Sequence, residues 1–461
     1  MTQQTRQTFA VIGADGVYQS DGRRIPLPAF TQLAYWLDAA TRRNIDSLWL
    51  HPSAGFTWTD ADIAACDPWQ VIGEGDDAQG NPWWTATRPG LYGVRDVIQP
   101  RYEDRTPWRE TPDAATLRDA LLAFRQATGF DWRRSSGATG TRILRAVHSG
   151  AHATTLDLDG APPAPATDGS LTDSGHIVWT RALRGSEHGG YLHSYDINGQ
   201  YLAACSSLAL GVGAWRHERR PILPPKVAGR SDTLLPGYYF VKAAEKAENG
   251  PAPSILTNHT GEWVTAPTLR LLREQGAIVN VPEAYTWAEH KRYLEPWYKT
   301  LKGARDALTV RHDPASGYAL TALKQCYTHA VGWLGSELWD RSEDRLYRPD
   351  WAQQVRAQAR ANLLRTISRV LRLYGASPVA VGSDCVYYVS PLADPLEPPY
   401  IARVTQGCVG DGLRISKQLG HFKIKDAGVP ISEVAELMRG RDWDLLALQA
   451  YLNVRNGRRA A

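Results

Sequence analysis

The sequence predicts an α+β protein of two or three domains. Three observations carry this. Short apolar runs of strand type and segments of helical periodicity occur on both sides of the chain's midpoint. A stretch without periodicity, Leu156 to Ser170 (LDLDGAPPAPATDGS), interrupts the pattern. The 461 residues are 43% apolar, with 17 Trp and 20 Tyr, which is enough to fill sizeable cores.

Before the interruption, TFAVIG and SLWLHP read as short strands. Ala114 to Thr128 places Leu117, Leu121, Leu122 and Phe124 at helical spacing and stops at Gly129. A domain boundary is expected in the Pro/Ala-rich stretch. Beyond it, GYLHS (Gly190 to Ser194) leads as a strand into YDINGQYLAACSS, and Pro236 to Ala243 and Gly261 to Thr265 read as further strands. Helices then dominate, over Ala284 to Ala307, over the apolar Ala319 to Gly335 and over Trp351 to Tyr374, where Val355, Leu363, Leu364, Ile367, Val370 and Leu371 form one side. Gly375 and Pro378 stop the last of these. Pro378 to Ser390 alternates as a hairpin around a tight Gly-Ser-Asp turn that puts Asp384 at its tip. No internal repeat is visible.

Composition excludes several classes. Gly (40) and Pro (29) stay well below a low-complexity share. A net charge of +4 is no nucleic-acid signature, so partners must be argued locally. Five Cys, odd in number, far apart and without CxxC, argue against a disulfide framework or thiolate zinc site, and a reducing cytoplasm is expected. No secretory signal and no membrane-spanning apolar run is visible. His148 and His152 have the spacing of a helical zinc pair but lack the Glu of HExxH, and neither a P-loop nor a His-x-His motif occurs.

Asp196 and Asp384 share a local setting, each at the end of a strand. Two carboxylates displayed from neighbouring strands can hold a pair of Mg²⁺ ions for nucleotidyl transfer. A single Asp in such a place is more often a turn former or helix cap. Lys324 is a lone cation on an otherwise apolar helix, placed either to bind a triphosphate or to snorkel to solvent, and Gly332 leaves room for a base or ribose.

In order and local spelling these residues resemble the three polymerase motifs of family B DNA polymerases, including the protein-primed branch. Against the family's D-x-x-S-L-Y-P-S the chain has Asp196, Ile197, Asn198, Gly199, Gln200, Tyr201, Leu202 and Ala203, matching at Asp, Tyr and the frequent Asn. K-x-x-x-N-S-x-Y-G falls on Lys324 to Gly332, with Thr328 for Asn, His329 for Ser and Val331 for Tyr. D-T-D-S falls on Gly382 to Cys385, so the first Asp is replaced by Gly382 and the second is Asp384.

The resemblance implies that Asp196, Asp384 and the carbonyl of Ile197 hold two Mg²⁺ (or Mn²⁺) ions. Asn198, Tyr201, Lys324, Thr328, Gly332 and, as a second cation, Arg311 would bind the nucleotide, with Tyr201 beneath the sugar. Lys423 and Lys425 in LGHFKIK would hold the primer strand. The implied fold is a degenerate RNase H-like N-terminal domain (1–165), a polymerase palm (166–425) with helical fingers at about 284–340, and a reduced thumb (426–461). Family B proofreading nucleases begin with D-x-E, whereas Asp15 is followed two places on by Val17, so a scaffold that does not cut is expected. Trp132, Arg133, Arg134 and the run Trp215 to Arg220 offer stacking and phosphate contacts, with surface ion pairing the competing account.

The expected function is therefore a DNA polymerase without proofreading, acting on primer-template DNA and dNTPs for a plasmid, phage or linear replicon, with a priming terminal protein or processivity partner. The alternative is a catalytically impaired, palm-derived DNA-binding protein of a telomere or replication origin.

Overall fold

A computed structural model describes residues 8–29, 31–73, 83–88, 95–98, 112–132, 136–148, 162–171, 177–225, 234–245, 261–336, 347–402, 404–405, 408–409, 411–440 and 442–457. The chain divides into two compact units, 1–153 with 299–332 and 154–298 with 333–461. Arg133, Arg134 and His152 lie outside the described residues.

The first unit opens with β1 (Phe9–Gly13), β2 (Gly16–Gln19), β3 (Arg24–Ile25), α1 (Leu33–Arg42), β4 (Ser47–Leu50), α2 (Asp60–Ala64), β5 (Gln70–Gly73), β6 (Trp83–Thr87), β7 (Arg95–Ile98), α3 (Ala114–Thr128) and α4 (Ser136–Ala146). The seven strands form one sheet in the order β3-β2-β1-β4-β7-β6-β5. Strands β1, β4 and β7 run parallel, and every other neighbour is antiparallel. The sequence FAVIG is apolar throughout because β1 is central and all five residues are buried. Leu33, Trp36, Leu37 and Ala40 of α1 close one face over Ala10, Ile12, Leu48 and Leu50. Helix α3 has the predicted limits, capped by Asp113, whose side chain accepts from Thr116 N, and ended by the left-handed Gly129.

The second unit begins with β8 (Val178–Thr180), β9 (Tyr191–Ile197) and α5 (Gln200–Ala204), followed by β10 (Leu210–Gly211), β11 (Arg216–Arg219), β12 (Gly237–Val241), β13 (Ala243–Glu245), β14 (Glu262–Thr265), α6 (Ala266–Glu274), β15 (Ile278–Asn280), β16 (Glu283–Thr286) and β17 (His290–Lys291). The chain continues through α7 (Glu295–Thr309), α8 (Pro314–Leu334), α9 (Pro349–Tyr374), β18 (Ala380–Gly382), β19 (Cys385–Ser390), β20 (Ile401–Ala402), β21 (Val404–Thr405), β22 (Cys408–Val409), β23 (Leu413–Arg414), β24 (Phe422–Pro430), α10 (Ile431–Val434) and α11 (Leu445–Arg455). Residues 299–332, most of α7 and α8, belong to the first unit.

One expectation is corrected. The span Ala284 to Ala307 was expected to be helical, but its first part is β16 and β17, and the helix starts only at Glu295. Alternation explains this: Ala284 and Thr286 are buried while Glu283 and Tyr285 are half-buried, as pairing between β11 and β12 requires.

The sheet that carries Asp196 has the order β24-β9-β19-β18-β8, antiparallel throughout. Residues Tyr195, Ile197, Val386 and Tyr388 pack on one face against Leu363, Leu364, Ile367 and Val370 of α9. On the opposite face Leu192, Ala380, Cys385 and Tyr387 lie under Val434 of α10, Met438 and Leu445, Leu448 and Leu452 of α11. Each Leu buried on α11 contributes roughly 2 kcal/mol. Both faces of the sheet are therefore covered by helices, the second by residues of the span expected to form a reduced thumb. A second sheet, β11-β16-β12-β14, packs Tyr239, Val241, Val264 and Ala284 against Leu269 of α6. Among the described residues no helix is long and apolar enough to cross a membrane.

Candidate active site

Asp196 is the penultimate residue of β9, where it stands opposite Cys385 on β19 and Lys423 on β24. The strand ends because Gly199 adopts the left-handed conformation (φ 54°, ψ 49°) that turns the chain into α5. Asn198 secures this corner. Its N–H donates to His421 O (2.8 Å), its carbonyl accepts from Gly420 N (2.8 Å), and its Nδ2 donates to Ser416 O (2.7 Å). The amide proposed for a nucleotide thus holds the segment preceding β24.

Asp384 is reached by a different route. Ser383 and Asp384 form the two-residue turn between β18 and β19, with Ser383 at φ 56° and its N–H donating to Ile177 O (2.8 Å). The Asp384 carbonyl accepts from Ile197 N (3.1 Å), so the turn is tied to the strand end that carries Asp196. Burial, then the Asp196 charge and a hydrogen bond between the two side chains, push the Asp384 carboxyl up to about 6, while Lys425 pulls the other way. Two acid groups far apart in the sequence thus meet where the end of β9 adjoins the turn between β18 and β19, Asp196 buried and Asp384 half-buried.

That position fits a divalent cation. Hard carboxylate oxygens forced together, at a cost visible in the upward shift of the Asp384 carboxyl, are the donors Mg²⁺ or Mn²⁺ prefers, with further ligands from water and substrate phosphates. Among the described residues no third acidic, His or Cys side chain completes the cluster. Gly382 stands where the family places another Asp, and a β-carbon there would meet Leu445 Cδ2 at 2.7 Å.

Tyr201, in the first turn of α5, is half-buried. Burial raises its hydroxyl, the Arg356 guanidinium lowers it and Asp384 raises it again, so these three groups feel one another's charge. Arg356 lies on α9, which packs on α5. It is half-buried, and among the described residues no carboxylate pairs with it. The sequence shows only that it lies off the apolar side formed by Val355, Leu363, Leu364, Ile367, Val370 and Leu371. An unpaired Arg beside an aromatic is visible only once α5 and α9 are packed.

Lys423 Nζ lies 2.6 Å from Asp196 Oδ2. Lys425 follows on the same strand, next to a bulge between Ile424 and Asp426. Beneath them Asp426 is buried, accepting from Ser194 Oγ and from Asn456 Nδ2 (2.7 Å). The remaining four candidates belong to the first unit. Lys324 is exposed on α8, Thr328 Oγ1 donates back to Lys324 O (3.0 Å), and Gly332 lies one turn further on. Arg311 Nη1 donates to Gln126 Oε1 at 3.5 Å.

No protein-family model matches the sequence, and no curated protein does. Solved structures do. The fold is similar to Phi29 DNA polymerase complexed with primer-template DNA and incoming nucleotides, with a TM-score of 0.51 and 10% identity over 91% of this chain and 84% of that one. The same polymerase with primer-template DNA alone gives a TM-score of 0.49 at 11% identity, over 91% of this chain and 84% of the other. A family B DNA polymerase from the archaeon Pyrobaculum calidifontis gives a TM-score of 0.37 at 14% identity, over 97% and 62%. The sequence is divergent, and the fold is similar to that of Phi29 DNA polymerase.

Proposed function

We propose that the chain is a DNA-directed DNA polymerase. The observation that carries this reading is the meeting of Asp196, near the end of β9, with Asp384, in the turn that leads into β19, within a fold similar to a DNA polymerase. Phosphoryl transfer demands little covalent chemistry of the protein and much positioning and charge neutralisation. The two carboxylates would hold Mg²⁺ or Mn²⁺, which when bound supply Lewis acidity at the attacking 3′-oxygen and the departing pyrophosphate.

The chain's own residues do the rest. Tyr201 lies under the sugar of the incoming nucleotide and crowds a 2′-hydroxyl. Arg356 reaches the triphosphate from α9, joining the proposed roles of Lys324 and Arg311. Lys423 and Lys425 bind primer phosphates, and Asn198 acts by holding the corner on which Asp196 stands.

The N-terminal sheet supports an RNase H-like domain, since β3-β2-β1-β4 runs antiparallel through β1 and turns parallel at β4. Strand β1 carries no carboxylate, and Asp15 sits in the turn after it, ion-paired to Arg24 (2.8 Å). We read this domain as lacking proofreading activity. Among the described residues, the buried free thiols Cys66, Cys205, Cys326 and Cys385 suit a reducing cytoplasm. Service to a plasmid, phage or linear replicon, with a terminal protein or processivity partner, completes the proposal.

Primer extension with purified protein and Mg²⁺ tests it. Wild type extends the primer and Asp384→Asn does not; equal incorporation by both removes the assigned site. The occupation of the third acid's place by Leu445 favours a second reading, a DNA-binding protein that has lost catalysis. Salt-dependent DNA binding without any incorporation by wild type would select that reading.

A further inference from the structure

We propose that Lys423 is the resident that a divalent cation evicts from Asp196: without metal its ammonium fills the carboxylate, and metal arrival releases it onto the primer backbone. This rests on the polymerase reading above and makes cation binding and primer engagement one coupled event.

The argument is steric and electrostatic. Lys423 faces Asp196 across the β24–β9 pair, with Nζ 2.6 Å from Oδ2. An ammonium at that distance uses the oxygen that a metal ion would need at roughly 2.1 Å. Two cations on one carboxylate oxygen repel strongly in a half-buried setting. Asp196 is 12% exposed in its side chain, so few alternative approaches to it exist, whereas Lys423 is 43% exposed and free to swing on its four-carbon stem.

The strand itself is held. Asp426, three residues on, is locked beneath the sheet by Ser194 and Asn456. Exchange therefore moves one side chain rather than a strand. The neighbouring Lys425 keeps a positive charge near Asp384 throughout.

Competitive acetylation of the full chain with acetic anhydride, read by mass spectrometry, tests the exchange. Exposed Lys291 serves as internal reference. Lys423 should become at least about threefold more reactive on adding Mg²⁺, because an amine held in the ion pair with Asp196 is shielded from the reagent and one released from it is not. It should be protected again when primer-template DNA follows. Mn²⁺ binding, followed by water proton relaxation, should tighten at least about fivefold in Lys423→Met, as removal of a competing charge requires. Mn²⁺ binding with unchanged Lys423 reactivity, or equal Mn²⁺ affinity in Lys423→Met, overturns the exchange and leaves the polymerase reading standing. Absence of Mn²⁺ binding to wild type overturns both.

Discussion

Gly382 and Leu445 stand in near contact: a β-carbon on Gly382 would lie 2.7 Å from Leu445 Cδ2 and 3.1 Å from Gln449 Nε2. A side chain at Gly382 therefore has no room unless Leu445 or Gln449 moves. Gly382→Asp should destabilise the protein by about 3 kcal/mol, from overpacking and a buried charge. Combined with Leu445→Ala, the two losses should fall short of additivity by about 1 kcal/mol or more in urea unfolding. Full additivity would mean that the two residues do not compete for the space.

The Asp384 carboxyl gives a pH signature. Its pKa is pushed up to about 6 in the folded protein against an ordinary 3.8, so the folded state holds the proton more tightly than the unfolded chain. Stability from this group is fully present below about pH 4 and is lost as pH rises through about 6, a loss of up to about 3 kcal/mol. Asp384→Asn should accordingly unfold at higher temperature than wild type at pH 7.5 in EDTA, with the advantage gone at pH 4. Calorimetry at the two pH values checks this, and an equal gain at both would assign it to another cause.

Arg356 should show itself in nucleotide affinity. Loss of one charge-assisted contact is worth about 1.5–3 kcal/mol, so Arg356→Ala should raise KM for dNTP by roughly tenfold or more. Arg356→Lys should recover part of it. Steady-state kinetics that leave KM unchanged in Arg356→Ala would take the triphosphate role away from it.

Proofreading should be absent. Asp15 accepts from Tyr18 OH (2.7 Å) and Arg24 Nη2 (2.8 Å), and these partners hold its carboxyl below the usual range. A primer with a mismatched 3′ end, incubated with protein and Mg²⁺ in the absence of dNTP, should keep its full length on a denaturing gel. Mg²⁺-dependent shortening would show that the N-terminal unit draws its acids from elsewhere.

What the sequence disclosed and what it withheld follow from range. Helix α3 was readable to the residue because its cap, periodicity and terminal Gly129 are local, and the turn at Ser383–Asp384 was readable from alternation about it. Strand β16 was misread because Tyr and Trp suit helix and strand alike, and only its pairing with β11 and β12 decides. Within the site, Asp196 and Asp384 could be paired from motif order. The Asn198 clamp on Ser416, the Lys423 ion pair and the placement of Arg356 depend on contacts between distant segments, which periodicity does not encode.

The covering of β18 and β19 by α11 has a consequence for how the molecule comes into being. Strand β9 leaves the ribosome long before β24 and α11, so newly made Asp196 waits with neither its sheet partners nor the Leu445–Leu452 pad. Shortening the chain ahead of Leu445 would uncover Cys385 and Tyr387 and leave an apolar, aggregation-prone hairpin. The sheet that carries Asp196 is thus completed only after its last strand and the covering helix have been made.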